Sequence, residues 1–526
     1  MTFRSEAMRL NRAQFLRLLG GTAAAATLPK GLAFNSAAFA QAGGGIVIAS
    51  VQGPPSLDAH VTNAQVARNI TLHIYETLYA RNENGEAVPD LAEGVSVSDD
   101  GFTYTFKLRQ GVKFHNGKEM TSGDVSASIE RFRKIGVSPA LVAAIDTVTA
   151  VSPYEVAIKL KKRQSVFLDN ISSPRAPIAI YPAEEAAKGA NEIQYIGTGP
   201  FKFVEYTPDS HVTLEKFADY VTNPAYQERD GLAGKKEVLI ERVTFRFIPE
   251  AGARTAALES GAVQIVETVD GPTAKRLRSD AKYIVHDVLP FAFQIIKFNH
   301  AQAPTDDVNF RKAVQAALDM EEIMEISYAD INQVDGGWVF PKSPFATDAG
   351  LDQYNVADVN KAKEFLGKSN YKGEPLTFIT DNLRPNVDIA TVVQARLEAI
   401  GVKVDISVAD WPTTSKIGFT KVGWNFWTHG FGIEPFEGPG TVMSAFVGGN
   451  AQMVADPEVD RIAGEFYATL DDAQKKDLFK QFQQRMYDNM IAIKTGNYGL
   501  FQLTSSKVEN FVPFRIPRMW GVKLVQ

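Results

Sequence analysis

A chain of 526 residues is too long for one ordinary hydrophobic core, so two or three packed units are expected. With 45% hydrophobic residues, 22% charged residues and a net charge of −6, it reads neither as a membrane-embedded chain nor as a nucleic-acid binder, which carries a basic face. It has no cysteine, which excludes disulfides, thiolate nucleophiles and cysteine-bound metals.

The first forty residues differ from the rest. Arg4, Arg9, Arg12 and Arg17 make a basic start, followed by a short Ala- and Gly-rich apolar run from Leu18 to Pro29. Ala38-Phe39-Ala40 then supplies a small-x-small site before Gln41. These are the three parts of an export signal cleaved after Ala40, and the apolar run is shorter than the roughly 20 residues that span a bilayer. Asn11-Arg12-Ala13-Gln14-Phe15-Leu16-Arg17 resembles a twin-arginine motif with Ala13 in place of the second arginine, so the route, Tat or Sec, stays open. Removing residues 1–40 takes away five basic and one acidic residue and leaves a net charge of −10. The expected compartment is the periplasm.

Beyond the signal, Ile46 to Val51 predicts a strand and Val66 to Leu78 a helix. Val95 and Val97, the turn Asp99-Asp100-Gly101 and the alternation of Phe102, Tyr104, Phe106 and Leu108 predict a β-hairpin. A helix should run from Ser122 through Phe132. Phe201, Phe203 and Glu205 share a strand, with Val212 to Phe217 as its partner. Val243 to Ile248 is another strand, and Arg254 to Ser260 a short helix stopped by Gly261. From about residue 290 the pattern becomes α/β. Phe310 to Tyr328 predicts one long helix. Leu376 to Thr380, the helical face Ile389, Val392, Val393, Leu397 and Ile400, and the alternating Val402, Val404, Ile406 and Val408 form a βαβ unit. Asp471 to Tyr487 is a further helix, and Phe501 to Val525 is strand-like and returns towards the first domain.

Catalytic motifs fail on inspection. Gly367-Lys368-Ser369 ends like a phosphate loop, but Ala362 occupies the position of its first glycine. Gly430-x-Gly432 and Gly197-x-Gly199 begin dinucleotide fingerprints that break at Pro435 and Lys202. No Gly-x-Ser-x-Gly elbow occurs, and no two of the seven histidines share the spacing that places two ligands on one helix face. The reading is a non-enzyme with no cofactor and no resident metal.

One segment stands out for binding. Trp424 to Pro435 combines aromatics with Gly, His and Glu. Aromatics supply a stacking surface, a carboxylate can fix a ligand amine or hydroxyl, and glycines allow close backbone approach. Trp424 and Phe426 read as core strand residues. Trp427, His429, Phe431 and Glu434 are candidate ligand contacts, with burial in the core as the alternative for each. Trp338, in a Gly-Gly-Trp loop, and Trp411, before a proline at a strand end, are pocket walls or packing residues. Arg384 at the end of a predicted strand has the fork to hold a ligand carboxylate bidentately, a solvated or ion-paired side chain being the alternative.

Taken together, the segments resemble a known family. Asp100-Gly-Phe-Thr-Tyr-Thr-Phe-Lys-Leu-Arg-Gln-Gly-Val-Lys-Phe-His-Asn-Gly-Lys118, followed by Met120-Thr-Ser-Gly-Asp-Val125, is similar to the hallmark of the extracellular solute-binding family 5. Ile196 to Phe203, Ala256 to Gly261, and Phe298-Asn299 with Phe310 to Val314 resemble its later signatures, in order. The resemblance implies an α/β, two-lobed, type II periplasmic binding protein with an extra inserted subdomain, of the cluster C kind. On that pattern lobe I takes 41–265 plus 486–526, the inserted subdomain about 80–190, lobe II 266–485, and the hinge lies near 265 and 485. It also implies a monomer that passes a solute to the permease of an ABC importer. Peptide receptors of the family hold the peptide amino terminus with a Gly-Trp-x-x-Asp-like stretch, and Gly430-Phe431 followed by Glu434 is the match here. Both side chains are changed, so a small peptide or peptide-like solute, an opine, a glycoside or oligosaccharide, and a nickel chelate all stay open, as does service as a chemoreceptor partner.

Overall fold

A computed structural model describes residues 45–525, except 432, 436 and 448–455. The export signal and its cleavage site fall outside this set.

Among the described residues the chain builds one large sheet, one four-stranded sheet and three two-stranded ones. The first half contributes β1 (Gly45–Ser50), α1 (Gln65–Ile74), β2 (Ala92–Val97), β3 (Thr103–Leu108), α2 (Ser122–Ile135), β4 (Ile145–Ser152) and β5 (Glu155–Leu160). Next come β6 (Phe201–Thr207), β7 (His211–Lys216), β8 (Arg242–Phe247), α3 (Ala251–Glu259) and β9 (Ile265–Val269). The second half adds β10 (Tyr283–Phe298), α4 (Val308–Ala317), α5 (Met320–Tyr328), β11 (Leu376–Asp381), α6 (Arg384–Glu398), β12 (Val404–Ala409) and α7 (Trp411–Gly418). It closes with β13 (Phe426–Phe431), α8 (Pro439–Ser444), α9 (Pro457–Ala468), α10 (Asp472–Asp488) and β14 (Ala492–Ser505).

The large sheet runs β12-β11-β13-β10-β14-β9-β1-β8-β7-β6. Its two ends are built alike. At one end β1 lies parallel to β8 and β9; at the other β11 lies parallel to β12 and β13. The antiparallel pair β10 and β14 joins them. Residues 283–288 of β10 pair with 500–505 of β14, beside β9, while 293–298 pair with β13. The register breaks between Val288 and Ala292, where the two halves meet. These two long strands are the segments that carry the chain between the halves. Parallel strands are buried on both faces, which is why β1 is wholly apolar or small and fully covered.

The cores follow the same division. One cluster draws on residues 293–493 with Val166, two on the first half with the C-terminal segment, and one on residues 78–180 around the small sheet β2-β3-β5-β4. The β2–β3 hairpin turns through Gly101 at φ +72°, a left-handed conformation that favours glycine. α2 starts on a capping box of Thr121 and Asp124. Gly261, at φ +77°, follows α3 as expected.

Two expectations needed correction. The predicted 310–328 helix is broken at Leu318, whose backbone is extended, because Asp319 caps a second helix through the amides of Glu321 and Glu322. The helix predicted over 66–78 stops at Ile74, and Tyr75 turns extended. Glu76 then accepts from Lys236 in the buried interior of the first half at 2.9 Å. Among the described residues, no helix is long and apolar enough to cross a membrane.

Candidate functional site

In open α/β sheets, ligands bind in the crevice beyond the carboxyl ends of parallel strands. Here two such ends face each other across the break in β10. From the second half, β13 ends at Phe431, and three residues on Glu434 reaches the first half. Its carboxylate takes a bidentate pair of hydrogen bonds from Arg68 of α1, at 2.7 and 2.8 Å, and Arg515 lies 3.1 Å away. All three side chains are buried, none more than 10% exposed. Arg515 stacks on Phe291 in the bend of β10 and donates to its carbonyl. Burial alone would raise the Glu434 pKa, but the two arginines outweigh it and hold the carboxyl below its ordinary value.

Glu437 extends the cluster. Its carboxylate accepts the Glu434 backbone N–H at 3.0 Å, and burial, with the Glu434 charge, pushes its pKa up to about 7. Arg175, next to Pro174 whose carbonyl accepts from Arg68, opposes both carboxylates. Arg175 and Glu437 also line a cavity of about 770 Å³ between the 138–176 segment of the inserted unit and residues 437–468 of the second half. Ser165 closes one side by bonding the carbonyls of Phe466 and Tyr467. The volume is in the range of pockets that enclose a small ligand.

The residues singled out from sequence divide into three groups. Trp411, Trp427 and His429 meet: the Trp427 ring centroid is 4.4 Å from His429 and 6.0 Å from Trp411. Trp427 is completely covered and packs on Trp424 and Phe419, so it belongs to a small core under α7. His429 is buried, its Nδ1 2.8 Å from the Gly430 carbonyl, and burial with nearby Lys297 pushes its pKa down to about 3. Trp411 keeps 47% of its surface exposed over this cluster. Glu434 stands apart in the ion-pair cluster. Arginines of the facing half hold both its oxygens.

Arg384 and Trp338 join neither group. Arg384 opens α6 with its side chain 92% exposed, within 3.5 Å of Asp388 one helical turn on, so no pocket surrounds it. Trp338 is 1% exposed, against Phe293 and Phe446, and is a core residue of the second half. Phe431 closes β13, but its side chain lies outside the described residues. Arg68, Arg175, Arg515 and Glu437 were not read from the sequence. Glu434 and Glu437, three residues apart beside a proline, were the signal available: two carboxylates so close call for cations from elsewhere in the fold.

Two halves joined by a pair of strands, with a carboxylate of one held by arginines of the other beside a cavity lined by both, have the geometry of a solute-binding protein. The chain belongs to the bacterial extracellular solute-binding proteins, family 5 Middle, whose model matches residues 86–453. It is similar to the oligopeptide-binding protein AppA of Bacillus subtilis, 27% identical over 72% of this chain and 71% of that one. It is also 27% identical to the nickel-binding periplasmic protein of Escherichia coli, over 88% of this chain and 90% of that one. The crystal structure of the ABC transporter substrate-binding protein CtaP from Listeria monocytogenes superposes with a TM-score of 0.80, at 20% identity, over 92% of this chain and all of that chain. That likeness carries the two-lobed fold expected from the sequence.

Proposed function

We propose that this solute-binding protein captures a small peptide or peptide-like solute in the cavity between its inserted unit and second lobe, and presents it to the permease of an ABC importer. The carrying observation is the 770 Å³ cavity whose wall includes Arg175 and Glu437, continuous with the Glu434–Arg68 pair that joins the lobes. Support for a peptide-like solute comes from the similarity to an oligopeptide-binding protein across most of both chains. On this reading the lobes hinge at 288–292 and 498–500, residues 1–40 are a cleaved export signal, and the mature chain works as a periplasmic monomer without enzymatic turnover. Binding energy is ample, since a micromolar dissociation constant corresponds to about −8 kcal/mol.

The test is a thermal-shift screen of residues 41–526 after unfolding and refolding to strip carried-over solute. The panel holds di- and tripeptides, opines, oligosaccharides and nickel chelates. A ligand at a hundred times its dissociation constant stabilises by about 2.7 kcal/mol, which for a chain this long moves the midpoint by about 2–3 °C. A shift with peptides supports the proposal. A shift confined to sugars, opines or chelates removes the peptide assignment.

A further inference from the structure

We propose that the solute is anionic, recognised through a carboxylate or an equivalent acidic group by the basic wall of the cavity; this rests on the cavity being the solute site. The wall carries Arg81, Lys162, Arg163 and Arg175 against only Asp169 and Glu437. Arg81 is committed to Asp169 at 2.5 Å, and Arg175 faces Glu437. Lys162 and Arg163 have no carboxylate partner within the wall; Arg163 donates to the Asp100 carbonyl outside it, and both side chains are solvent-accessible. Directly behind the wall, Arg68 and Arg515 share the single carboxylate of Glu434, a second excess of positive charge, here in a buried place.

This sign is opposite to that of the molecule, which is net −6. An acidic protein repels an acidic solute at long range, so a local basic wall is what lets such a solute enter and stay. A bound anion also offsets the desolvation cost of the arginines closed in between the lobes. On this reading the Glu434 charge balances arginines, and the solute supplies the remaining negative charge.

The experiment uses the ligand-stripped protein and isothermal titration with three tripeptides of one frame, Ala-Glu-Ala, Ala-Gln-Ala and Ala-Lys-Ala, together with citrate and a dicarboxylic opine as non-peptide anions. The acidic tripeptide is expected to bind at least tenfold tighter than the neutral one, and the basic one more weakly still. In the Lys162→Gln/Arg163→Gln variant the preference for the acidic over the neutral tripeptide should fall at least fivefold, and an unchanged preference overturns the anionic assignment. Equal or tighter binding of the basic tripeptide overturns the anionic assignment and leaves the peptide reading standing. Binding of citrate or the opine but of no tripeptide upholds the anionic assignment and removes the peptide reading. Binding of none of the five overturns both.

Discussion

Replacing Glu434 by Gln should open the lobes. The substitution keeps the shape of the side chain but removes the one carboxylate that Arg68 and Arg515 share, at 2.7 and 3.1 Å. Removing one partner of a buried ion pair costs about 3–5 kcal/mol, because a charge is left in a place water cannot reach. Here two guanidinium groups lose their partner, and the amide oxygen of Gln can still accept one hydrogen bond, so the lower figure applies. Arg68 and Arg515 regain water when the lobes part, so the cost falls on the closed form. About 3 kcal/mol shifts the closed-to-open ratio by more than about a hundredfold. Because the chain has no cysteine, spin labels can be placed cleanly at Val204→Cys in the first half and Glu398→Cys in the second. Pulsed electron resonance on the stripped protein should give a longer, broader distance distribution for E434Q than for the parent. Glu364→Gln, which removes an exposed pair with Lys368, is the control and should change nothing. Superimposable distributions for E434Q and the parent would refute the idea that this ion pair holds the lobes.

Three further outcomes follow from burial and charge. Stability should fall on acidification below about pH 7. His60, His73, His115, His286, His300 and His429 all have pKa values pushed by burial to between about 3 and 4, from an ordinary 6.5. A depressed histidine binds fewer protons folded than unfolded, so its contribution is present above 6.5 and lost as pH drops below it. Glu267 and Glu437, raised to about 7, and Asp90, raised to about 6, act in the opposite direction, favouring the fold as pH falls towards the ordinary carboxylate range. They are outnumbered below 6.5, and above about 7 neither set changes its protonation, so urea midpoints should fall from pH 7 to pH 5; a midpoint still rising towards pH 5 would contradict this. Trp338→Ala should cost about 3–5 kcal/mol in urea denaturation, as for a fully buried indole. Arg384→Ala should stay within about 0.5 kcal/mol and leave solute affinity unchanged; a tenfold loss of affinity would return Arg384 to the binding site.

Much of the fold was legible because its signals are local. The alternation of Tyr104, Phe106 and Leu108, the Asp99-Asp100-Gly101 turn, and the periodic face from Ile389 to Leu397 each report how one segment buries itself, and each formed where expected. The break at Leu318 was masked because the apolar period runs on through it while Asp319, a cap residue, sits inside the pattern. The long strands β10 and β14 were harder to see, because each serves both halves and its burial pattern changes along its length.

The site was legible only in part. Sequence alone determined that the chain is built for binding: it lacks every catalytic motif sought, carries the family's ordered signatures, and gathers aromatics and a carboxylate between residues 424 and 435. The tertiary structure decided what those residues do. Trp427 and Trp338 became core because sheet and helix pack over them, and Arg384 faced solvent because it opens a surface helix. Arg68 and Arg515 reached one carboxylate from positions 447 residues apart in the chain, since β10 and β14 return the C-terminal segment to the first half. A side chain's charge is written in the sequence, but the charge that balances it comes from whichever residues the fold brings within a few ångströms, and no local pattern encodes that.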